Sequence, residues 1–226
     1  MAEDLLHDTR VAPSILAADY SRLGAQLEEV MAAGARVIHV DVMDGNFVPP
    51  ITTGALVVDS IQEQVHEAGG WLDVHLMVDR PERHVDDFAE AGADSISIHW
   101  EATPHVHFTL NAVREADCLA GLAINPATPP QVVDGQSDMF DLLLCMTVNP
   151  GWGGQAYIET STEKVRMLRE LLPDGVPIEV DGGIDAESAA TSAEAGATLF
   201  VAGSSVLGQE DPAEAYRRIA EAAGAV

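Results

Sequence analysis

Three segments of this chain repeat one local grammar: a helical stretch ends at a glycine and a β-rich run follows at once, in AAGARVIHVDV, EAGADSISIH and EAGATLFVAG. Gly34, Gly92 and Gly196 read as helix C-terminal glycines that let the backbone turn directly into a strand. The remaining sequence fits the same alternation, with strands expected near 11–16, 36–43, 71–77, 95–99, 119–124, 140–147, 177–181 and 198–202. Between them lie helical segments such as SRLGAQLEEVMAA and TSTEKVRMLRELL, whose apolar residues recur at three- and four-residue spacing. Strictly alternating βα units imply a parallel sheet, and eight of them imply a closed (β/α)8 TIM barrel. A doubly wound open sheet is the competing fold, but no G-x-G-x-x-G follows the first strand.

The 226 residues suit one such barrel, which typically runs ~250 residues. A single domain over 1–226 is expected, with residues 1–10 as a loose N-terminal extension. That extension, MAEDLLHDTR, carries both charges and no apolar signal core, and no stretch approaches the ~18 uninterrupted apolar residues of a membrane span. A soluble cytoplasmic protein is expected. Cys118 and Cys145 each sit in an apolar run, which suits buried thiols better than a disulfide or a zinc knuckle. Acidic residues number 37 against 11 Lys and Arg, for a net charge of −26. Nucleic acid and anionic membranes are thereby disfavoured as partners. Adaptation to high salt and plain acidity in an ordinary setting both fit that charge. Either way an anionic ligand is repelled at long range, so its site must act locally through backbone amides and helix N-termini.

Barrel enzymes place their chemistry at strand C-terminal ends and in the loops that follow. The second strand ends HVDVMDG, and a period of two puts His39, Asp41 and Met43 on one face. In LDVHLMV, His75 and Met77 share a face, and EVDGG brings Asp181 to the end of the seventh strand. Two readings stand for the histidines: hydrogen-bonded core residues, or ligands. Convergence brings the ligand reading level with the core one, because charged groups are almost never buried without partners. The mixed nitrogen and oxygen set suits one divalent ion of zinc, iron, manganese or cobalt better than calcium or magnesium. Asp73 lies on the face of His75 and is placed to orient an imidazole. His99 ends the fourth strand as a candidate pocket residue, and Asp44 reads as a loop-shaping residue. His7, His66, His84, His105 and His107 read as solvent-facing.

Glycine-rich stretches follow the last three strands: NPGWGGQ, DGG and AGSS. Gly151, Gly153, Gly154, Gly182, Gly183 and Gly203 permit close backbone approach, and Ser204 is expected to open the last helix with an N–H and a hydroxyl. Ordinary turn glycines are the bland reading. Their grouping on adjacent loops points instead to a phosphate grip, which by itself names no reaction.

In order, APSILAADYSRL, HVDVMDGNFVPP, LDVHLMV, the strand end leading to His99, LAINPATP, MTVNPGWGGQ, VDGGI and VAGSSV resemble the ribulose-phosphate 3-epimerase family across positions 12 to 206. The resemblance implies interconversion of D-ribulose 5-phosphate and D-xylulose 5-phosphate, a step of the pentose phosphate pathway. It implies metal ligands at His39, Asp41, His75 and Asp181, with Asp41 and Asp181 also the acid/base pair. Ser14 matches a substrate-contacting serine, and Trp152 with Gly151, Gly153, Gly154, Gly182, Gly183, Gly203 and Ser204 matches the substrate and phosphate loops. Met43, Met77 and Met146 match methionines around the reacting carbons. Pro50 stands where the family usually has Asn, and Trp152 where it usually has Phe. Neither change removes a ligand or a base, and Trp152 bears on loop closure and affinity.

Inverting a carbon beside a ketone takes one base on each face, and the resulting 2,3-enediolate needs charge stabilisation of the kind a divalent metal gives. This explains why the two bases should also be ligands. A 3-epimerase of a ketohexose 6-phosphate such as allulose 6-phosphate would need the same centre. A phosphosugar lyase of the same barrel type is disfavoured, because such sites use an Asp-x-Lys-x-x-Asp pattern and the only lysine is Lys164, in a helical segment. Expected partners are a small sugar phosphate and further copies of the chain in a homo-oligomer.

Overall fold

The computed structural model describes residues 8–225. Its strands are β1 (Arg10–Pro13), β2 (Val37–Met43), β3 (Trp71–Met77), β4 (Ser95–His99), β5 (Leu119–Ile124), β6 (Leu142–Met146), β7 (Ile178–Asp181) and β8 (Leu199–Ala202). They form one parallel sheet in the order β1-β8-β7-β6-β5-β4-β3-β2. A parallel bridge between Ser14 and His39 joins the two ends of that order, so the sheet curls into a nearly closed barrel.

Helices α1 (Leu23–Ala32), α2 (Ala55–Glu67), α3 (Val85–Glu90), α4 (Val106–Glu115), α5 (Ser161–Leu171), α6 (Ala186–Glu194) and α7 (Pro212–Ala223) surround it. Several lay an apolar stripe on the strands. In α1 that stripe is Leu23, Leu27, Val30 and Met31, at helical spacing. The three glycines of the repeated grammar follow α1, α3 and α6 and take φ of 122° (Gly34), 98° (Gly92) and 106° (Gly196). Those values are left-handed, where a side chain is disfavoured. No helix among the described residues is long and apolar enough to cross a membrane.

Four expectations are corrected. The alternation is not strict: β5 reaches β6 through a short 3-10 turn, Pro130–Val133, where Pro126, Pro129 and Pro130 discourage a longer helix. The first strand stops at Pro13, and Ile15–Ala17 forms a 3-10 turn whose start is capped by Ser14. The last helix begins at Pro212, with Asp211 as its cap. Ser204 instead lies in a separate turn, in which Gly203 O accepts from the amides of Val206 at 2.9 Å and Leu207 at 3.0 Å. Arg10 is not part of a loose extension, because its amide donates to Thr198 O at 2.9 Å as β1 begins. Residues 1–7 of that expected extension lie outside the described residues.

Strand parity sorts the core. Ile38, Val40 and Val42 of β2, Leu72, Val74 and Leu76 of β3, and Ile178 and Val180 of β7 face the helices in the main apolar cluster. The alternate residues face the barrel axis. Some of these are apolar, with Ala12, Val37, Trp71, Leu142, Leu199 and Val201 forming one cluster. Others are polar, with His39, Asp73, Ser95, Ser97 and Glu179 all fully buried.

Candidate active site

The register of β2 on β3 sets Asp41 beside His75 and His39 beside Asp73, and β6 on β7 sets Met146 beside Asp181. Three strands thus deliver the expected four residues to one point. His75 Nδ1 lies 3.2 Å from Asp41 Oδ1 and 3.5 Å from Asp181 Oδ2, and His39 Nε2 lies 3.5 Å from Asp41 Oδ1. Donor atoms of all four fall within 4.8 Å of one another. Ligands ~2.1 Å from a tetrahedral cation sit about 3.4 Å apart, so this spacing fits a first-row divalent ion. The buried Nε2 of His39 has no hydrogen-bond partner and faces Asp41 at the same point. By donor type and spacing, the four residues fit a single divalent metal.

Each side chain is held from behind. Ser14 donates its hydroxyl to Asp41 Oδ2 at 2.5 Å. Asp73 accepts a hydrogen bond from Nδ1 of His39 at 2.6 Å, and is itself held by the Ser95 hydroxyl at 2.5 Å. Trp71 Nε1 donates to that hydroxyl at 2.9 Å. Asp73 therefore orients an imidazole, as its position suggested, and the imidazole is His39. His99 comes within 2.9 Å of His75, nitrogen to nitrogen. Asp44 accepts from the amides of Asn46, Phe47 and Asp79 at 2.8–2.9 Å and shapes the loop after β2. His66, His105 and His107 are exposed, His84 is half-buried, and His7 lies outside the described residues.

One residue of the centre was missed. Glu179 shares the inward face of β7 with Asp181, is fully buried, and lies 3.4 Å from His39 Nδ1. Neither of its oxygens has a hydrogen-bond partner. Burial and the charge of Asp73 push its carboxyl up to about 8. The two reaction-centre acids move in opposite directions. Burial raises Asp41, but the adjacent imidazoles of His39 and His75 outweigh it and hold the group far below the usual carboxylate range. Burial and the charge of Asp41 raise Asp181. Burial opposes protonation of His75, yet Asp181 and Asp41 win and lift it to about 9. So many acids in one barrel require a cation among them, whether protons or a metal.

Asp41 and Asp181 open onto a cavity of about 660 Å³ at the C-terminal mouth of the barrel. Ser14, Met43, Met77 and Met146 line it near the carboxylates. The loops carrying Gly151 to Gly154, Gly182, Gly183, Gly203 and Ser204 line it as well. His39 and His75 stand behind the acids, fully buried. Trp152 is 60% exposed at the mouth. Lys164 lies on α5, with its ammonium on Asn125 O at 2.6 Å, and is not part of the cavity wall. Cys118 and Cys145 are free and buried, and burial lifts both thiols to about 11.

The loops after β6 and β7 meet at Gly183, whose φ is 67°. A Cβ there would lie 2.8 Å from Tyr157 Cα and 2.9 Å from Gln155 O, both backbone atoms. Gly183→Ala is expected to destabilise the fold by about 1–3 kcal/mol from the backbone conformation alone. A lowered urea midpoint and a raised KM for a phosphorylated substrate are the measurements, and an unchanged KM would separate this glycine from the binding wall.

A nearly closed parallel barrel that carries paired carboxylates and three glycine-rich loops at its mouth, with two imidazoles behind the acids, has the arrangement of a barrel enzyme. The model of the ribulose-phosphate 3 epimerase family matches residues 10–207. Ribulose-phosphate 3-epimerase of Bacillus subtilis is 45% identical over 214 residues, 93% of this chain and 97% of that protein. That of Synechocystis is 49% identical over 210 residues, 91% of this chain and 90% of that protein. Among solved structures, KGPDC from Streptococcus mutans superposes with a TM-score of 0.71 at 15% identity, covering 96% of this chain and 97% of that one. At that identity the likeness speaks for the fold alone. The chain belongs to the ribulose-phosphate 3-epimerase family, and it is an isomerase.

Proposed function

We propose that this enzyme interconverts D-ribulose 5-phosphate and D-xylulose 5-phosphate by two-base proton transfer at C3. The observation that carries the reading is the pair Asp41 and Asp181, facing one cavity from strands β2 and β7 with glycine loops in the same wall. A ketose phosphate with its phosphate on the loops and C3 between the carboxylates gives its proton to one and receives another from the opposite one. The roles exchange in the reverse direction. Ser14 fixes Asp41, and the half-turn opened by Ser204 with the Gly151–Gly154 and Gly182–Gly183 segments takes the phosphate through backbone amides. Met43, Met77 and Met146 wall the reacting carbons from water. His39, Asp41, His75 and Asp181 would hold a divalent ion, which would supply Lewis-acid stabilisation of negative charge beside C3. A single domain, a cytoplasmic setting and a homo-oligomeric state complete this reading.

The test is an NMR assay of ribulose 5-phosphate in deuterium oxide. Deuterium is expected at C3 as xylulose 5-phosphate appears. Loss of a carbon would overturn the reading in favour of a lyase, and turnover confined to a ketohexose 6-phosphate would replace the substrate.

A further inference from the structure

His99 takes no part in the proton transfer, yet it is fully buried and ends β4 beside the reaction centre. Its Nε2 lies 2.9 Å from Nε2 of His75, and its Nδ1 lies 3.2 Å from Oε2 of Glu101, two residues further along the chain. Phe47 packs on the ring with centroids 4.8 Å apart. Glu101 is pinned in turn: its Oε1 accepts from the amide of Asn125 at 2.9 Å and from the hydroxyl of Thr128. We propose that Glu101, acting through His99, is a positioning residue that fixes which nitrogen of His75 faces the metal.

This deepens the metal centre proposed above and rests on it. The argument follows the protons along the line. An ionised carboxylate only accepts, so Nδ1 of His99 carries the hydrogen that meets Glu101. The neutral ring then offers a bare Nε2, and two bare nitrogens 2.9 Å apart would repel. Nε2 of His75 is therefore the donor. With that proton committed, the lone pair of His75 is left on Nδ1, the atom that faces Asp41 at 3.2 Å and Asp181 at 3.5 Å. Asp73 does the same for His39 in one step, since accepting from Nδ1–H keeps the hydrogen on that nitrogen and leaves Nε2 bare toward the centre. The two imidazoles thus present opposite nitrogens, each chosen by a carboxylate lying outside the ligand set.

A residue that merely fills space between β4 and the loop after β5 would not influence ligand geometry, and Co(II) binding separates the two roles. The unaltered protein, stripped of metal and titrated with Co(II), is expected to bind with a visible absorption band. His99→Phe and Glu101→Ala are expected to weaken Co(II) binding by about 10–100-fold and to shift that band. His99→Gln, whose amide oxygen still accepts from Nε2 of His75, is expected to recover most of the affinity. Thermal unfolding of each variant in chelator shows whether the barrel itself is intact. Glu101 is partly exposed, so Glu101→Ala carries the test if His99→Phe does not fold. Unchanged affinity and absorption in Glu101→Ala would overturn the proposal, as would equal losses in His99→Phe and His99→Gln. Failure of the unaltered protein to bind Co(II) would overturn the metal centre, and this inference with it.

Discussion

Asp181→Asn is expected to lower kcat by about 10⁴-fold, the upper end of what one acid/base group contributes. The upper end applies because the side chain has two duties in the proposed reaction: it would exchange the proton at C3, and it is one of four donors clustered within 4.8 Å. Asn keeps the volume and loses both. Asp41→Asn is expected to match it, with the added loss of an ionised acceptor for the Ser14 hydroxyl at 2.5 Å. Steady-state turnover of ribulose 5-phosphate, with circular dichroism to show an intact barrel, measures both. Retention of more than roughly a tenth of wild-type kcat by either variant would remove that carboxylate from the proton path.

The second large effect is loss of metal. Exhaustive chelation is expected to reduce turnover to background, and zinc, iron, manganese or cobalt to restore it, each to its own level. The physical ground is the concentration of charge. Asp41, Asp73, Glu179 and Asp181 lie around His39 and His75 with little or no contact with water. Such a set is poorly matched to an oxyanion forming beside it unless a strong cation intervenes. Full activity after chelation, verified by metal analysis of the same sample, would require the imidazolium of His75 to do that work instead.

How far the site could be read beforehand depended on whether strand parity alone sufficed. It placed His39, Asp41 and Met43 together, and His75 with Met77, because a period of two needs no knowledge of neighbouring strands. The same rule applied to Glu179 and Asp181. Glu179 escaped notice because a glutamate in a strand ordinarily reads as a solvent-facing residue, and only closure of the barrel puts that face inside. The approach of His99 to His75 was beyond parity. His75 pairs with Ser97, so His99 reaches it only diagonally, and that offset follows from the stagger of a closed barrel. Local signals failed where two elements competed for one stretch. The AGSS segment was read into the last helix, yet Gly203 closes a turn of its own and α7 waits for the Asp211 and Pro212 start signal. Between β5 and β6 the prolines were visible, but the expectation of a regular alternation overrode them.

The interior of the barrel is built in storeys. A dry lowest storey, centred on Trp71, Leu142 and Leu199, bonds the strands to one another. The uppermost, ringed by glycine loops, opens to the cavity. Between them His39, Asp73 and Glu179 form a storey that belongs to neither. Alterations at the top can retune which sugar is accepted while the foundation is untouched, and alterations at the bottom leave the chemistry its tools. The middle storey has no such freedom: there a residue supports the reaction above and fills the barrel around it, so the two demands must be met by the same atoms.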